Sequence, residues 1–399
     1  MRLLFVHERF GALGGAEVNV LLTARELSAR GHTVGLLHGP ATGREEAAWR
    51  ETFPARFSLA GASSAIDALD GALQQFQPDV AFVHKLADLD VVAALAAQPV
   101  PVARMVHDHD LCCLRRYKYH PLSRRICTRA LSPYCVFPCG ATLARDPERR
   151  LTFRWISYGA KRRELALNRR FQRVIVATDY MKQELMRNGF AGDAIETHAP
   201  VPRPAATAFQ STFGPRNLIV YAGQVIRGKG VDVLLEALAR VREPFECVVL
   251  GDGNHRAHCE DLSHRLGLAG RVRFAGFVPP EEIPGFYREA TLAVMSSVWP
   301  EPFGAVGLEA MRCGLPVVAF DAGGIREWLV DGWNGFLVPW MDRAGYADRV
   351  ERLLRDKPLA RQLGEHGRTW AGERFGFANY VTGLENLFRR LAGRGPTIP

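Results

Sequence analysis

Short apolar runs alternate with helix-length stretches along this chain, and the alternation occurs twice, once on each side of a proline-rich break. In the first half, Leu3 to Val6, Val34 to Leu37, Val80 to Val83, Val100 to Val106 and Val174 to Ala177 read as strands. Strands separated by helical stretches imply a parallel sheet covered by helices. Ala199 to Arg216 holds Pro200, Pro202, Pro204 and Pro215, shows no period and reads as a linker. The rhythm restarts at Leu218 to Ala222 and continues through Cys247 to Leu250, Val272 to Phe274, Leu292 to Met295 and Val317 to Phe320. The expected fold class is therefore α/β with two Rossmann-like domains, 1–200 and 217–377, joined by a linker at 201–216 and followed by a helical tail, 378–399. Two such domains are expected to form a cleft, with ligand residues at strand ends lining it.

The stretch Glu301-Pro302-Phe303-Gly304-Ala305-Val306-Gly307-Leu308-Glu309 carries the most chemistry. The strand Leu292 to Met295 precedes it, Pro300, Pro302 and Gly304 break the period, and Gly307 to Cys313 reads as a helix. A loop at the carboxyl end of a parallel strand is where open α/β sheets bind ligands. Free N–H groups at the helix start favour an anion near Gly304, while Glu301 and Glu309 accept bonds from hydroxyls. A polyhydroxylated phosphate ester satisfies both halves. Upstream, Arg227 and Lys229 lie just before the amphipathic run Val231 to Val241. Cations at a helix start oppose its dipole, which argues for a bound anion between them.

These elements together resemble family 4 of the retaining glycosyltransferases, a family of the GT-B fold also described as glycosyl transferases group 1. The nine residues from Glu301 resemble its E-x7-E segment, with Phe303, Gly304 and Ala305 inside it. Gly223-Gln224-Val225-Ile226-Arg227-Gly228-Lys229-Gly230 resembles its phosphate-binding segment, and Leu250-Gly251-Asp252-Gly253 its strand-end turn. Asp321-Ala322-Gly323-Gly324 resembles its later glycine pair. The resemblance implies that Gly14, Gly15, Gly223, Gly251, Phe303, Gly304, Ala305 and Glu309 bind the donor. It implies that His107 faces the donor sugar, that Glu17 and Asp108 lie on the acceptor side, and that the last helix crosses back to the first domain. His107, Arg227, Lys229 and Glu301 are the residues expected to carry the reaction.

Charge is uneven. From Pro101 to Tyr180 there are 17 Lys and Arg against 6 Asp and Glu, a net +11 within a chain of +9, so the remainder carries −2. A basic region confined to one half suggests an anionic partner: a phospholipid surface, a lipid-linked pyrophosphate acceptor or nucleic acid. Arg149, Arg150, Arg154, Lys161, Arg162, Arg163, Arg169 and Arg170 supply much of the charge, and Leu151, Phe153, Trp155 and Ile156 between them suggest an interfacial helix. No familiar nucleic-acid motif accompanies the charge, so nucleic acid is not expected. No apolar run reaches the roughly 18 residues of a membrane span, and none resembles a secretory signal, so a cytoplasmic protein, peripheral on the inner membrane face, is expected.

Eight cysteines without a signal sequence point to reduced thiols or a metal rather than disulfides. Cys112, Cys113, Cys127, Cys135 and Cys139 fall within 28 residues, and a zinc set of Cys112, Cys127, Cys135 and Cys139 is conceivable despite its poor spacing. Asp108-His109-Asp110 spells D-x-D, the motif by which another glycosyltransferase fold holds a divalent cation. That fold is a single domain and would leave Arg227, Lys229 and the Glu301–Glu309 pattern unexplained. Cationic side chains and a helix start can replace the metal on the departing diphosphate. The expected reaction is thus metal-free, cofactor-free transfer of a hexosyl unit from a nucleoside diphosphate sugar to a lipid-linked or saccharide hydroxyl, in cell-surface polysaccharide or glycolipid assembly. The rivals are a nucleotide-sugar epimerase on the same fold, a glucan synthase, and a basic membrane or nucleic-acid binding module with an inactive site.

Overall fold

The computed structural model of the protein describes residues 1–12, 14–60, 64–120, 122–145, 153–201 and 210–394. The chain divides into two compact units: Met1–Arg116, Thr128–Pro202 and Phe377–Pro399 form the first, Tyr117–Cys127 and Arg203–Gly376 the second. The undivided 1–200 block expected from sequence is thus interrupted, because Tyr117–Cys127 packs with the second unit.

The first unit contains β1 (Arg2–His7), β2 (Thr33–His38), β3 (Ala55–Ser58), β4 (Val80–Val83), β5 (Val102–Val106), β6 (Leu143–Arg145), β7 (Phe153–Trp155), β8 (Arg173–Val176) and β9 (Ile195–Thr197). Seven of them form a parallel sheet in the order β3-β2-β1-β4-β5-β8-β9. Leu3 to Val6 and the whole of β4 are buried, as strands covered by helices on both faces must be. Helices Ala65–Phe76, Leu89–Ala97, Tyr158–Asn168 and Asp179–Arg187 each start on a side-chain cap, from Ser64, Asp88, Ser157 and Thr178. Such a cap contributes about 1 kcal/mol. Helix Phe377–Leu391 buries Tyr380, Val381, Leu384, Leu387 and Phe388 in this unit, with the Phe388 ring edge-on to Phe82 at 5.0 Å.

One expectation fails here. Phe153–Trp155 is not helical: β7 pairs antiparallel with β6, Leu143 opposite Trp155, and the helix starts only at Tyr158. Phe153 and Trp155 alternate with polar Arg154, which suits a strand, and Ser157 supplies the cap that defines the later helix start. Leu151, Arg149 and Arg150 lie outside the described residues.

The second unit contains β10 (Leu218–Ala222), β11 (Glu246–Leu250), β12 (Val272–Gly276), β13 (Leu292–Met295), β14 (Val317–Phe320) and β15 (Gly335–Val338), parallel in the order β12-β11-β10-β13-β14-β15. The order reverses between β10 and β13, and such a reversal opens a crevice beyond the carboxyl ends of the two strands. The loops after β10 and β13 are those that carry Arg227, Lys229 and Glu301. Tyr346 anchors the core behind them, its buried hydroxyl donating to the Val318 carbonyl at 2.7 Å. Among the described residues no helix is long and apolar enough to cross a membrane.

Candidate donor and acceptor sites

In the second unit the chain leaves β10, makes a 3-10 turn at Arg227–Lys229, passes Gly230 and enters helix Val231–Leu238. Gly230 has φ 66°, and a Cβ there would stand 2.1 Å from the Ser296 carbonyl oxygen. Only glycine permits this approach of the two loops. The Val298 and Trp299 N–H groups donate to the Gly228 carbonyl at 2.9 and 3.1 Å, and the Ser296 hydroxyl donates to the Lys229 carbonyl at 3.0 Å. From the other side the Glu301 N–H donates to Ala322, and Gly324 donates to the Glu301 carbonyl at 2.8 Å. Glu301 is fixed by backbone before its side chain does anything.

The Lys229 ammonium lies 2.6 Å from Glu301 Oε1, which also accepts from Trp299 Nε1 at 2.9 Å and from the Ser297 hydroxyl. Burial pushes the Glu301 carboxyl up, but Lys229 and the other donors more than offset it and hold it below the usual range. Lys229 and Glu301 were each expected to meet ligand separately; here they are also partners of one another. All three donors converge on Oε1, and among the described residues none donates to Oε2.

Helix Ala305–Arg312 begins two residues earlier than its apolar pattern indicates. Gly304 precedes it with φ 83°, and no side chain caps its first N–H groups. Glu309 lies on this helix, half-buried. Burial pushes its carboxyl up to about 7, with Arg312 acting weakly in the opposite direction. Arg227, in the turn after β10, is exposed.

Three residues expected at the donor also have packing roles. The Phe303 ring is buried against Phe375 at 5.8 Å, and its carbonyl accepts from Trp328 Nε1 at 2.6 Å, so its side chain belongs to the core. Gly223 and Gly251 pack on one another: a Cβ on Gly251 would stand 1.9 Å from the Gly223 carbonyl oxygen. Their small size serves the close approach of two strand-end turns.

In the first unit, β1, β4 and β5 are neighbours, and His7, His84 and His107 stand at or just beyond their carboxyl ends. His84 Nδ1 and His107 Nε2 are 2.9 Å apart and the rings stack. Burial lowers both, His107 to about 3 even though Asp108 pulls it upward, so both are neutral near pH 7 and share one proton in that bond. His7 Nδ1 lies 3.1 Å from the Arg9 N–H and 3.2 Å from the Arg9 carbonyl, and His7 Nε2 lies 3.7 Å from Glu17. Asp108 pairs with Lys85 at 3.0 Å and accepts the Asp110 N–H at 2.8 Å. Asp110 in turn meets Arg116 at 3.1 Å. The two D-x-D carboxylates are therefore neutralised by protein cations. His84, Lys85, His107 and Asp108 line a cavity of about 80 Å³. Gly14 is itself extended, and no side chain caps helix Gly15–Ala29.

The zinc set does not assemble. Among the described residues, Cys112, Cys127, Cys135 and Cys139 form no group whose ligand atoms converge. Asp232, His255 and His258 do converge among the described residues, all ligand atoms lying within 4.8 Å. Arg124 already engages both oxygens of Asp232, however, and the two imidazoles stack at 4.5 Å, an arrangement in which their lone pairs run alongside rather than toward one point. Sequence reading also missed Ser297, Trp299, His84 and Lys85. The last two had a signal, since His84-Lys85 follows an apolar strand just as His107-Asp108 does.

With this geometry in view, comparison with known proteins is informative. The sequence profile "Glycosyl transferases group 1" matches residues 205–370 and "Glycosyltransferase Family 4" matches residues 13–198. A D-inositol 3-phosphate glycosyltransferase of Streptomyces bingchenggensis is 34% identical over 239 residues, 54% of this chain and 52% of that protein. An alpha-D-kanosaminyltransferase of Streptomyces kanamyceticus is 29% identical over 233 residues, 55% of this chain and 60% of that one. The chain thus spans about half the length of the curated relatives it matches. Among solved structures, Anabaena Alr3699/HepE in complex with UDP and glucose shares the fold with a TM-score of 0.74 at 20% identity, covering 98% of this chain and all of that one. Sucrose-phosphate synthase from Thermosynechococcus elongatus has a TM-score of 0.70 at 19% identity, covering 98% and 99%. The chain belongs to the group 1, family 4 glycosyltransferases and has their GT-B fold class of two parallel-sheet α/β units.

Proposed function

We propose that the protein transfers a hexosyl unit from a nucleoside diphosphate sugar to a hydroxyl acceptor with retention of anomeric configuration. The observation that carries this reading is the reversal of the second sheet, where Lys229 meets Glu301 on two loops locked by backbone bonds, ahead of a helix that no side chain caps. Departure of the diphosphate is the hardest step. Arg227, Lys229 and the N–H groups after Gly304 stabilise its growing charge, and removing one such donor costs on the order of a hundredfold in turnover. Lys229 has three N–H donors and spends one on Glu301, so it retains others for phosphate. Glu301 Oε2 accepts from the sugar hydroxyls and the Glu309 carboxylate from the ribose.

In the first unit, neutral His107 contacts the donor sugar, with Glu17 and Asp108 on the acceptor side. The acceptor is lipid-linked or saccharide, and its assembly into a cell-surface polysaccharide or glycolipid fits a basic first unit that meets an anionic membrane. Protein cations supply the charge stabilisation, so turnover should persist in EDTA; loss of activity in chelator, restored by a divalent ion, would refute the metal-free mechanism. The relatives' names and the UDP and glucose in the Anabaena structure support a nucleotide-sugar donor. A thermal-shift screen against UDP, GDP, ADP and their sugars tests it, because a ligand of the folded state raises apparent stability. Stabilisation by at least one is expected; none would overturn the assignment. Product formed without acceptor would instead favour an epimerase.

A further inference from the structure

Residues Tyr117–Cys127 pack in the second unit although the chain on either side belongs to the first. The described residues of this stretch form a small hairpin. Tyr119 and Ile126 make an antiparallel bridge, the Cys127 N–H donates to the Lys118 carbonyl at 2.7 Å, and the His120 N–H donates to the Arg125 carbonyl at 2.9 Å. The hairpin is anchored at two points, and both adjoin the crevice loops. At its turn, the Arg124 guanidinium grips both oxygens of Asp232, on the first turn of the helix that follows Arg227–Lys229. This is a bidentate, largely buried pair, which fixes orientation as well as position. At its start, the Tyr117 ring lies against Trp299 at 5.6 Å and beside Tyr119 at 6.1 Å. Trp299 is the residue that donates to Glu301 and lies under the Lys229 ammonium at 5.1 Å.

The anchoring leaves one feature unexplained. Tyr117 is 44% exposed, although an aromatic placed there only to hold the hairpin would bury its ring. Its ring adjoins, at a 51° tilt, the Trp299 ring that donates to the carboxylate assigned to sugar hydroxyls. A hexose presents a face of C–H groups as well as a rim of hydroxyls, and such a face packs on an aromatic ring while the rim is held by a carboxylate. Tyr119 lies within electrostatic reach of Arg227, on the diphosphate side.

We propose that the Tyr117–Cys127 hairpin is part of the donor site, with the exposed ring of Tyr117 packing on the hexosyl group of the nucleotide sugar beside Trp299 and Glu301. Tyr117 is thereby a specificity residue for the sugar rather than for the nucleotide. The inference rests on the nucleotide-sugar reading above and adds to it the element that recognises the hexose.

Calorimetric titration of the full chain with UDP-glucose, GDP-mannose and ADP-glucose, and with the free diphosphates, separates the two levels. For the nucleotide series that the wild type binds, Tyr117→Ala should weaken the sugar form about fivefold, the range of an aromatic contact, and leave the free diphosphate unchanged. Tyr117→Phe should restore binding. Equal affinity of wild type and Tyr117→Ala for the sugar form would overturn the hairpin's role, whereas a wild type that binds no nucleotide would overturn the donor reading itself. Tyrosine nitration of the wild type, read by peptide mass spectrometry, needs no variant. Saturating nucleotide sugar should slow modification of Tyr117 severalfold and free diphosphate should not; equal rates with and without the sugar form would also overturn the proposal.

Discussion

Glu309 is the residue whose chemistry most depends on its surroundings. Its carboxyl, pushed up to about 7 by burial, holds its proton more tightly in the folded chain than in the unfolded one. Stability should therefore fall as pH rises from the ordinary carboxyl range toward 7, and level off above it. Glu309→Gln should gain stability over the wild type at pH 8 and not at pH 4; melting curves at the two values check this. If the carboxylate accepts ribose hydroxyls, affinity for a nucleotide sugar should rise between pH 6 and 8, and Glu309→Gln should flatten the profile. A sugar nucleotide is the right probe, because its phosphates do not titrate in that interval. For catalysis, Arg227→Ala should lower kcat on the order of a hundredfold with a smaller change in donor affinity, read by initial rates.

Loop packing is what places these residues. Gly230→Ala forces a Cβ onto the Ser296 carbonyl at a positive φ, and Gly307→Ala forces one to 2.1 Å from the Trp328 ring. Each should cost about 1–3 kcal/mol, visible as a lower Tm. Gly230→Ala should also lower donor affinity, since it moves Lys229; Gly307 acts behind the helix and should spare binding more. The strands that meet the crevice were legible in sequence for a physical reason. Leu218 to Ala222 and Leu292 to Met295 are buried on both faces and hence continuously apolar. β3 and β9 were not legible, because they are three- or four-residue edge strands with half-exposed patterns. β15 was hidden differently: it starts at Gly335 and follows a turn, so its apolar run is only three residues. Phe303, Gly223 and Gly251 also carry packing duties that no motif spells out, because the Phe303 ring meets Phe375 and the two glycines let two strand-end turns approach. The hairpin at Tyr117–Cys127 left no trace in periodicity, since the ion pair to Asp232 and the ring contact with Trp299 join residues distant in sequence.

The whole chain leaves the first unit for Tyr117–Cys127, returns, builds the second unit, and ends with a helix in the first. That last helix buries Tyr380, Val381, Leu384, Leu387 and Phe388, each contributing roughly 1.5–3 kcal/mol as an upper bound. A chain ending at Gly376 should lose the calorimetric transition of the first unit while nucleotide still stabilises the second; two intact transitions would contradict this. The basic stretch gives a prediction at the same scale. Exposed Arg154, Arg162, Arg163, Arg169 and Arg170, with Trp155 65% exposed, should bring the protein down with phosphatidylserine vesicles at low salt and release it at high salt. Sedimentation that is equal with neutral vesicles would remove the membrane from the account. The measurement closest to the central claim is titration of wild type and Glu309→Ala with nucleotide sugars under one set of conditions. Micromolar binding of one sugar nucleotide by the wild type, lost in Glu309→Ala with the fold retained, is the predicted result. Equal binding by both proteins would contradict the site.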